Sequence, residues 1–165
     1  IKEVGFGMSQ SAIKTIQQLN PAAINIGGAN GTNFAVIERR RNRQAETLNI
    51  DQFGLSTVES LISAQIMQNQ YPIIATGGIQ SANDVITSLM LGATLVSSAG
   101  FMLKTLMDDG QSALVQQIEG WQSALPRLLT LLGAQSNQEL AEKQRLYSPS
   151  LQNFITQQKA SPENR

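Results

Sequence analysis

A chain of 165 residues with 41% hydrophobic and 15% charged side chains is long enough for one domain with a real core. It is too weakly charged for a disordered polyelectrolyte. Twelve basic and twelve acidic residues cancel, so no global positive field draws in nucleic acid. Histidine and cysteine are both absent, which excludes a Ser-His-Asp triad, a thiolate nucleophile, disulfides and any His- or Cys-ligated metal within these residues. No apolar run approaches the roughly 20 residues of a membrane span. Ile1-Lys2-Glu3-Val4 lacks a signal-peptide layout, and a cytoplasmic protein is the expectation.

Ile1, Val4 and Phe6 are β-formers around Lys2, ending at Gly5 and Gly7, so the sequence opens on a strand already under way. That opening fits a fragment or a chain processed upstream. Ser9 predicts the N-cap of a helix whose apolar face is Ile13, Ile16 and Leu19, stopped by Asn20-Pro21. Ala22 to Ile26 predicts a short strand running into the glycine-rich turn Gly27-Gly28-Ala29-Asn30-Gly31-Thr32-Asn33. A polar stretch with Glu38, Arg39, Arg40, Arg41 and Arg43 follows. Thr57 to Gln70 predicts a helix capped by Ser56 or Thr57, with Val58, Leu61, Ile62 and Ile66 on one face. Tyr71 to Ala75 is a buried-type strand ending in Thr76-Gly77-Gly78-Ile79. Ser81 to Asp84 opens the next helix, with Val85, Ile86, Leu89 and Met90 inward and Gly92 as its C-cap. Ala93 to Ser98 is a fourth strand, closed by Ala99-Gly100. Helices are predicted over Phe101–Met107, Gln111–Leu132 with a kink at Pro126, Asn137–Gln144 and Ser148–Gln158, before a frayed tail over 160–165.

Strands alternating with helices mean an α/β fold with a parallel sheet. Four βα units are too few for a closed eight-stranded barrel of about 250 residues, so the sheet is either small and open or half of a barrel. The expected division is four βα units over 1–109, C-terminal helices packed on them over 110–159, and the tail.

Chemistry is expected where glycine follows the strands, because α/β proteins bind ligands at the C-terminal ends of parallel strands. Gly5, Gly7, Gly27, Gly28, Gly77, Gly78 and Gly100 stand there. Each could merely make a tight turn. Four such strand ends in a row favour a phosphate-bearing ligand, held by backbone N–H groups and helix N-termini. Lys2 could point to solvent, or into the mouth of the sheet to stabilise negative charge on a ligand ring. The arginine cluster reads as a solvated face; diphosphate binding is its second reading. Asp84, Asp108 and Asp109 read as helix-end residues. Trp121 and Pro126 read as packing, and Glu3 either reaches a ligand or alternates to the other face.

Lys2-Glu3-Val4-Gly5-Phe6-Gly7, the run Gly27 to Phe34, Ile37-Glu38-Arg39-Arg40-Arg41, Phe53-Gly54-Leu55-Ser56-Thr57, Thr76-Gly77-Gly78-Ile79 and Ala99-Gly100 together resemble type 2 isopentenyl-diphosphate isomerase, in order and in spacing. The resemblance covers nearly the whole chain. It implies the C-terminal half, strands five to eight, of an FMN-dependent TIM (β/α)8 barrel. That family interconverts isopentenyl and dimethylallyl diphosphate, uses reduced flavin supplied with NAD(P)H together with Mg2+, and forms cytoplasmic homotetramers or octamers. By motif, Lys2 would lie beside the flavin pyrimidine, and Thr32 near the phosphate or ribityl chain with Gly27 close by. Gly78, Ile79 and Gln80 would donate amides to the FMN phosphate, and Ala99 and Gly100 would complete the cradle. The resemblance gives this half no catalytic residue and no metal ligand. Asn30 replaces a common glycine and Gln80 a common arginine. The family's first four units, with the substrate diphosphate and magnesium sites, are missing from this sequence. Other FMN barrels share the phosphate turns, but 2-hydroxy-acid oxidases use a histidine in this half and inosine-monophosphate dehydrogenase relatives a cysteine. A non-catalytic phosphate-binding half barrel is the remaining alternative.

Overall fold

The computed structural model describes residues 1–41 and 53–161. Arg43 of the basic cluster and the last four residues of the predicted tail lie outside them. Three short parallel strands, β1 (Ile24–Asn25), β2 (Ile73–Ala75) and β3 (Leu95–Val96), form a sheet in that order. Ile24 faces Ile73, and Ile74 faces Leu95. The expected opening strand is only a bridge, pairing Lys2 in parallel with Asn25. Asn25 donates to the Ile1 carbonyl at 2.9 Å and Glu3 donates to the Asn25 carbonyl at 3.0 Å. The ladder then stops because the chain turns through Gly5 (φ 132°) onto the carboxylate of Glu3. The alternation of the later strands with helices is as read from the sequence, except that part of the polar stretch after the first glycine bend forms a helix of its own, Phe34–Arg41.

Alternation decides which face of the sheet is covered. Ile24, Ile26, Ile73 and Ala75 point to one side and are buried with Met8, Ile13, Leu61 and Ile62. Helices α1 (Gln10–Gln17) and α3 (Thr57–Ile66) close that side, and α7 (Pro149–Lys159) adds Ile155 to the same core. Residues paired directly across a parallel ladder share a face. Lys2, Asn25, Ile74 and Leu95 therefore make one row on the opposite side. That side is open, with Leu95 61% exposed.

The helix starts follow their caps. Ser9 caps α1, and Ser56 and Glu59 form a capping box at α3. Ser81 caps α4 (Ala82–Met90), Ser136 caps α6 (Asn137–Glu142) and Ser148 caps α7. Helix α2 (Phe34–Arg41) carries the arginine cluster, with Arg41 3.0 Å from Glu38 on an exposed surface. The break expected between the helices over Phe101–Met107 and Gln111–Leu132 falls at Gly110 (φ 86°, ψ 176°) inside helix α5 (Gly100–Leu131), a conformation open to a residue without Cβ. The kink expected at Pro126 is not accompanied by any departure from helical φ/ψ. Across that bend Phe101 stacks on Trp121, with centroids 5.9 Å apart and planes within 6°. A second core of Ile86, Ala134 and Leu140 ties α4 to the end of α5 and to α6.

Candidate functional site: the glycine bends at the strand ends

The bends after β1 and β2 interlock through their backbones. Gly28 donates to the Thr76 carbonyl at 2.8 Å. A methyl group at Gly31 would sit 2.8 Å from the Gly77 Cα, and one at Gly77 would overlap the Gly28 carbonyl. Thr57, buried at the start of α3, clamps the pair. Its hydroxyl lies 3.0 Å from the Thr76 carbonyl and 2.6 Å from that of Gly77. The Thr57 amide donates to Asn30 Oδ1 at 3.1 Å, so Asn30 pins the bend where the resembled family commonly has glycine. The bend after β3 joins the same group. Ser98 Oγ donates to the Ile79 carbonyl at 2.7 Å, and the Thr32 hydroxyl is the nearest atom to a would-be Cβ on Gly100, at 3.9 Å.

This arrangement leaves donors free. The amides of Gly78 and Ile79 donate no hydrogen bond among the described residues. Ala99, the N-cap of helix α5, provides no side-chain cap, so the first N–H groups of that helix have no partner among the described residues at the same strand ends. Free backbone donors and the positive end of a helix dipole make a site for an anion. The donors present fit the phosphate of FMN, since among the described residues no acidic side chain takes the Gly78 or Ile79 amide. Asp84 stays at the first turn of α4, where its carboxylate takes the Gln80 amide at 3.0 Å and the Ser81 hydroxyl at 2.8 Å.

The candidate residues fall into place unequally. Gly78, Ile79, Ala99, Gly100 and Thr32 gather around the three bends. Gln80 is beside them with its amide already engaged by Asp84. Lys2 lies in the open row, next to Asn25. Gly27 (φ 41°) packs under it, where a Cβ would come within 2.8 Å of the Glu3 carbonyl. Among the described residues no group of acidic side chains is placed to hold a metal ion, and no helix is long and apolar enough to cross a membrane.

Four residues have roles that sequence reasoning did not assign them. Glu3 Oε2 accepts the amides of Gly5, Phe6 and Gly7 at 2.5, 2.6 and 3.1 Å, which winds the first strand into its bend. Asn25 Oδ1 accepts from Thr76 Oγ1 at 2.6 Å and from the Gly27 amide at 3.3 Å. Thr57 and Thr76 complete the clamp. A polar Asn25 between Ile24 and Ile26 was a usable signal, because a residue alternating with two core isoleucines must face the other side. A groove of about 560 Å³ lies elsewhere, between the first turn of α4 and the Gly120–Arg127 stretch of α5. It touches none of the glycine bends.

The FMN-dependent dehydrogenase family matches residues 50–147. An isopentenyl-diphosphate delta-isomerase of Lactococcus lactis is 48% identical over 96% of this chain and 45% of its own length. Those of Limosilactobacillus reuteri and Latilactobacillus sakei are 41% and 34% identical over 95% and 98% of the chain, and over 45% and 46% of their own lengths. A mutant flavocytochrome b2 structure with benzoylformate aligns over 88% of the chain and 43% of its own at a TM-score of 0.48 and 20% identity. The chain thus spans about 45% of the length of the curated relatives it matches. With the β1, β2 and β3 bends drawn together at one end of a parallel sheet, and the family match running from before Thr57 to beyond the end of α6, the chain belongs to the FMN-dependent dehydrogenase family.

Proposed function

We propose that this chain is the flavin-holding, C-terminal half of a type 2 isopentenyl-diphosphate isomerase, interconverting isopentenyl and dimethylallyl diphosphate. One observation carries the reading: the free amides of Gly78 and Ile79 share the strand ends with the uncapped start of α5. The 48% identity with the Lactococcus lactis isomerase narrows a general flavin site to this activity. The bare row on the sheet supports a half barrel, since parallel sheets bury both faces. In that reading β1, β2 and β3, with the Lys2 strand before them, are strands five to eight. The units over 1–109 hold the cofactor, and the helices over 110–159 pack outside.

The residues of this chain divide the work by position. Gly78, Ile79, Ala99 and Gly100 hold the FMN phosphate, with Gln80 contributing once its amide leaves Asp84. Thr32 and Gly27 line the path between phosphate and ring. Lys2 sets a fixed ammonium beside the pyrimidine edge, where negative charge on the reduced ring is stabilised without reorganisation. Bound FMN, reduced with NADPH, would supply the acid–base chemistry at the allylic carbons. No residue of this chain acts directly on the substrate. The diphosphate and Mg2+ sites belong to the other half of the barrel, and the assembled enzyme is a cytoplasmic homo-oligomer.

Binding of flavins to this chain tests the reading. FMN should bind at least about tenfold more tightly than riboflavin, a phosphate contribution of about 1.4 kcal/mol or more, and inorganic phosphate should compete. Equal affinity for the two flavins would refute it. In an assay with FMN, NADPH and Mg2+, the chain by itself should convert no isopentenyl diphosphate.

A further inference from the structure

We infer that Asn25 is a positioning residue for the flavin ring, donating a hydrogen bond from Nδ2 to an acceptor on the pyrimidine edge beside Lys2. The inference rests on the FMN reading above and adds a second ring contact to it. Its basis is a side chain whose orientation is fixed and whose donor end is free. The Gly27 amide can only donate, so the atom of Asn25 that faces it at 3.3 Å must be the carbonyl oxygen. Thr76 Oγ1 holds the same oxygen at 2.6 Å. With Oδ1 held from two directions, the amide plane cannot rotate without losing both bonds. Nδ2 donates to nothing among the described residues, and it is not among the buried polar atoms left without a partner, so it reaches solvent.

The register says where that donor stands. Ile24 and Ile26 are fully buried on the helix-covered side, so Asn25 faces the open side. Its direct neighbour across the ladder there is Lys2. Paired strands lie about 4.8 Å apart, which sets an ammonium and a directed amide N–H within reach of two acceptors on one planar ring. Ile74, next in the row, offers an apolar surface against the ring face. A ring carrying carbonyl oxygens and negative charge along one edge matches this set, and the reduced flavin pyrimidine is such a ring. Thr76 couples the donor to the phosphate end, because its hydroxyl holds Asn25 while its carbonyl holds Gly28.

Titration of the chain with oxidised and dithionite-reduced FMN tests this, with inorganic phosphate as competitor. N25S keeps an oxygen for the Gly27 amide and removes the donor. It should weaken binding of both flavin states about tenfold, the cost of one directed hydrogen bond, and leave the competition constant of phosphate unchanged. N25D keeps both acceptor contacts and adds a negative charge beside Lys2. It should weaken reduced FMN more than oxidised FMN, lowering the midpoint potential of the bound flavin by about 30 mV for each tenfold difference. FMN affinities within about twofold of wild type would overturn the inference. So would a matching loss of phosphate affinity, which marks a general distortion of the bends. Failure of the unsubstituted chain to bind FMN overturns the flavin reading itself, and is seen before any substitution is made.

Discussion

Replacing Thr57 by valine removes one hydroxyl from the clamp and almost no volume. Thr57 is 5% exposed, and its single hydroxyl proton serves the carbonyls of Thr76 and Gly77 at 3.0 and 2.6 Å. After the substitution the Thr76 carbonyl keeps its bond from Gly28, whereas that of Gly77 loses its only partner among the described residues. The loss is therefore one good hydrogen bond plus one desolvated acceptor, about 1–3 kcal/mol. In a domain of this size that is about 2–4 °C of melting temperature per kcal/mol. Urea denaturation followed by circular dichroism reads it as a lower midpoint at unchanged slope. Thr57→Ser is the control, keeping the hydroxyl and losing one methyl worth about 1 kcal/mol. If the valine variant were as stable as the serine variant, the clamp would not hold the two bends together.

Gly77→Ala places a methyl on the Gly28 carbonyl at a residue with φ 101°, so it should cost more than about 4 kcal/mol and leave little folded protein in a thermal melt. Glu3→Gln keeps an oxygen for the three amides but removes its charge. Hydrogen exchange of Gly5, Phe6 and Gly7 should accelerate about tenfold or more, since charge-assisted bonds are worth about 1.5–3 kcal/mol. The hydrogen bond and charge of Asp108 raise the pKa of Lys104 above 10.5 against a small desolvation effect. A raised folded-state pKa gives stability that is complete below the unfolded value and lost as pH climbs through the folded one. Melting temperature should therefore keep the whole small contribution of this exposed pair, without pH dependence, near neutral pH and show a decline above pH 10.5 that Lys104→Met removes.

Helix starts were legible because each is written in one residue. Ser9 and Ser56 cap the helices they were expected to cap, and Ser81 and Ser148, read as the opening residues of two helices, are their caps. Strand order was legible because glycine ends each strand. Strand length was not. The first strand reduces to one bridge because Glu3 folds back on its own amides, a contact that alternation of apolar residues does not record. The gap between the helices read over Phe101–Met107 and Gln111–Leu132 was legible and falls at Gly110, where a positive φ reverses the chain. Pro126 leaves the helix without a break because proline's missing N–H only removes one helical bond. The phosphate turns stood out in the sequence as glycine runs. Asn25, Thr57 and Thr76 did not, since the bonds that join them to one another and to the Gly77 carbonyl span nineteen residues or more, and only the fold brings those partners together.

The account turns on which amides meet FMN. Amide chemical shifts of the isotope-labelled chain, followed as FMN is added, address this directly. The largest changes should fall at Gly78, Ile79 and Gly100, with smaller ones at Thr32 and Lys2. Changes confined to the groove between Ser81 and Arg127, or an FMN response without any shift at Gly78 and Ile79, would contradict it.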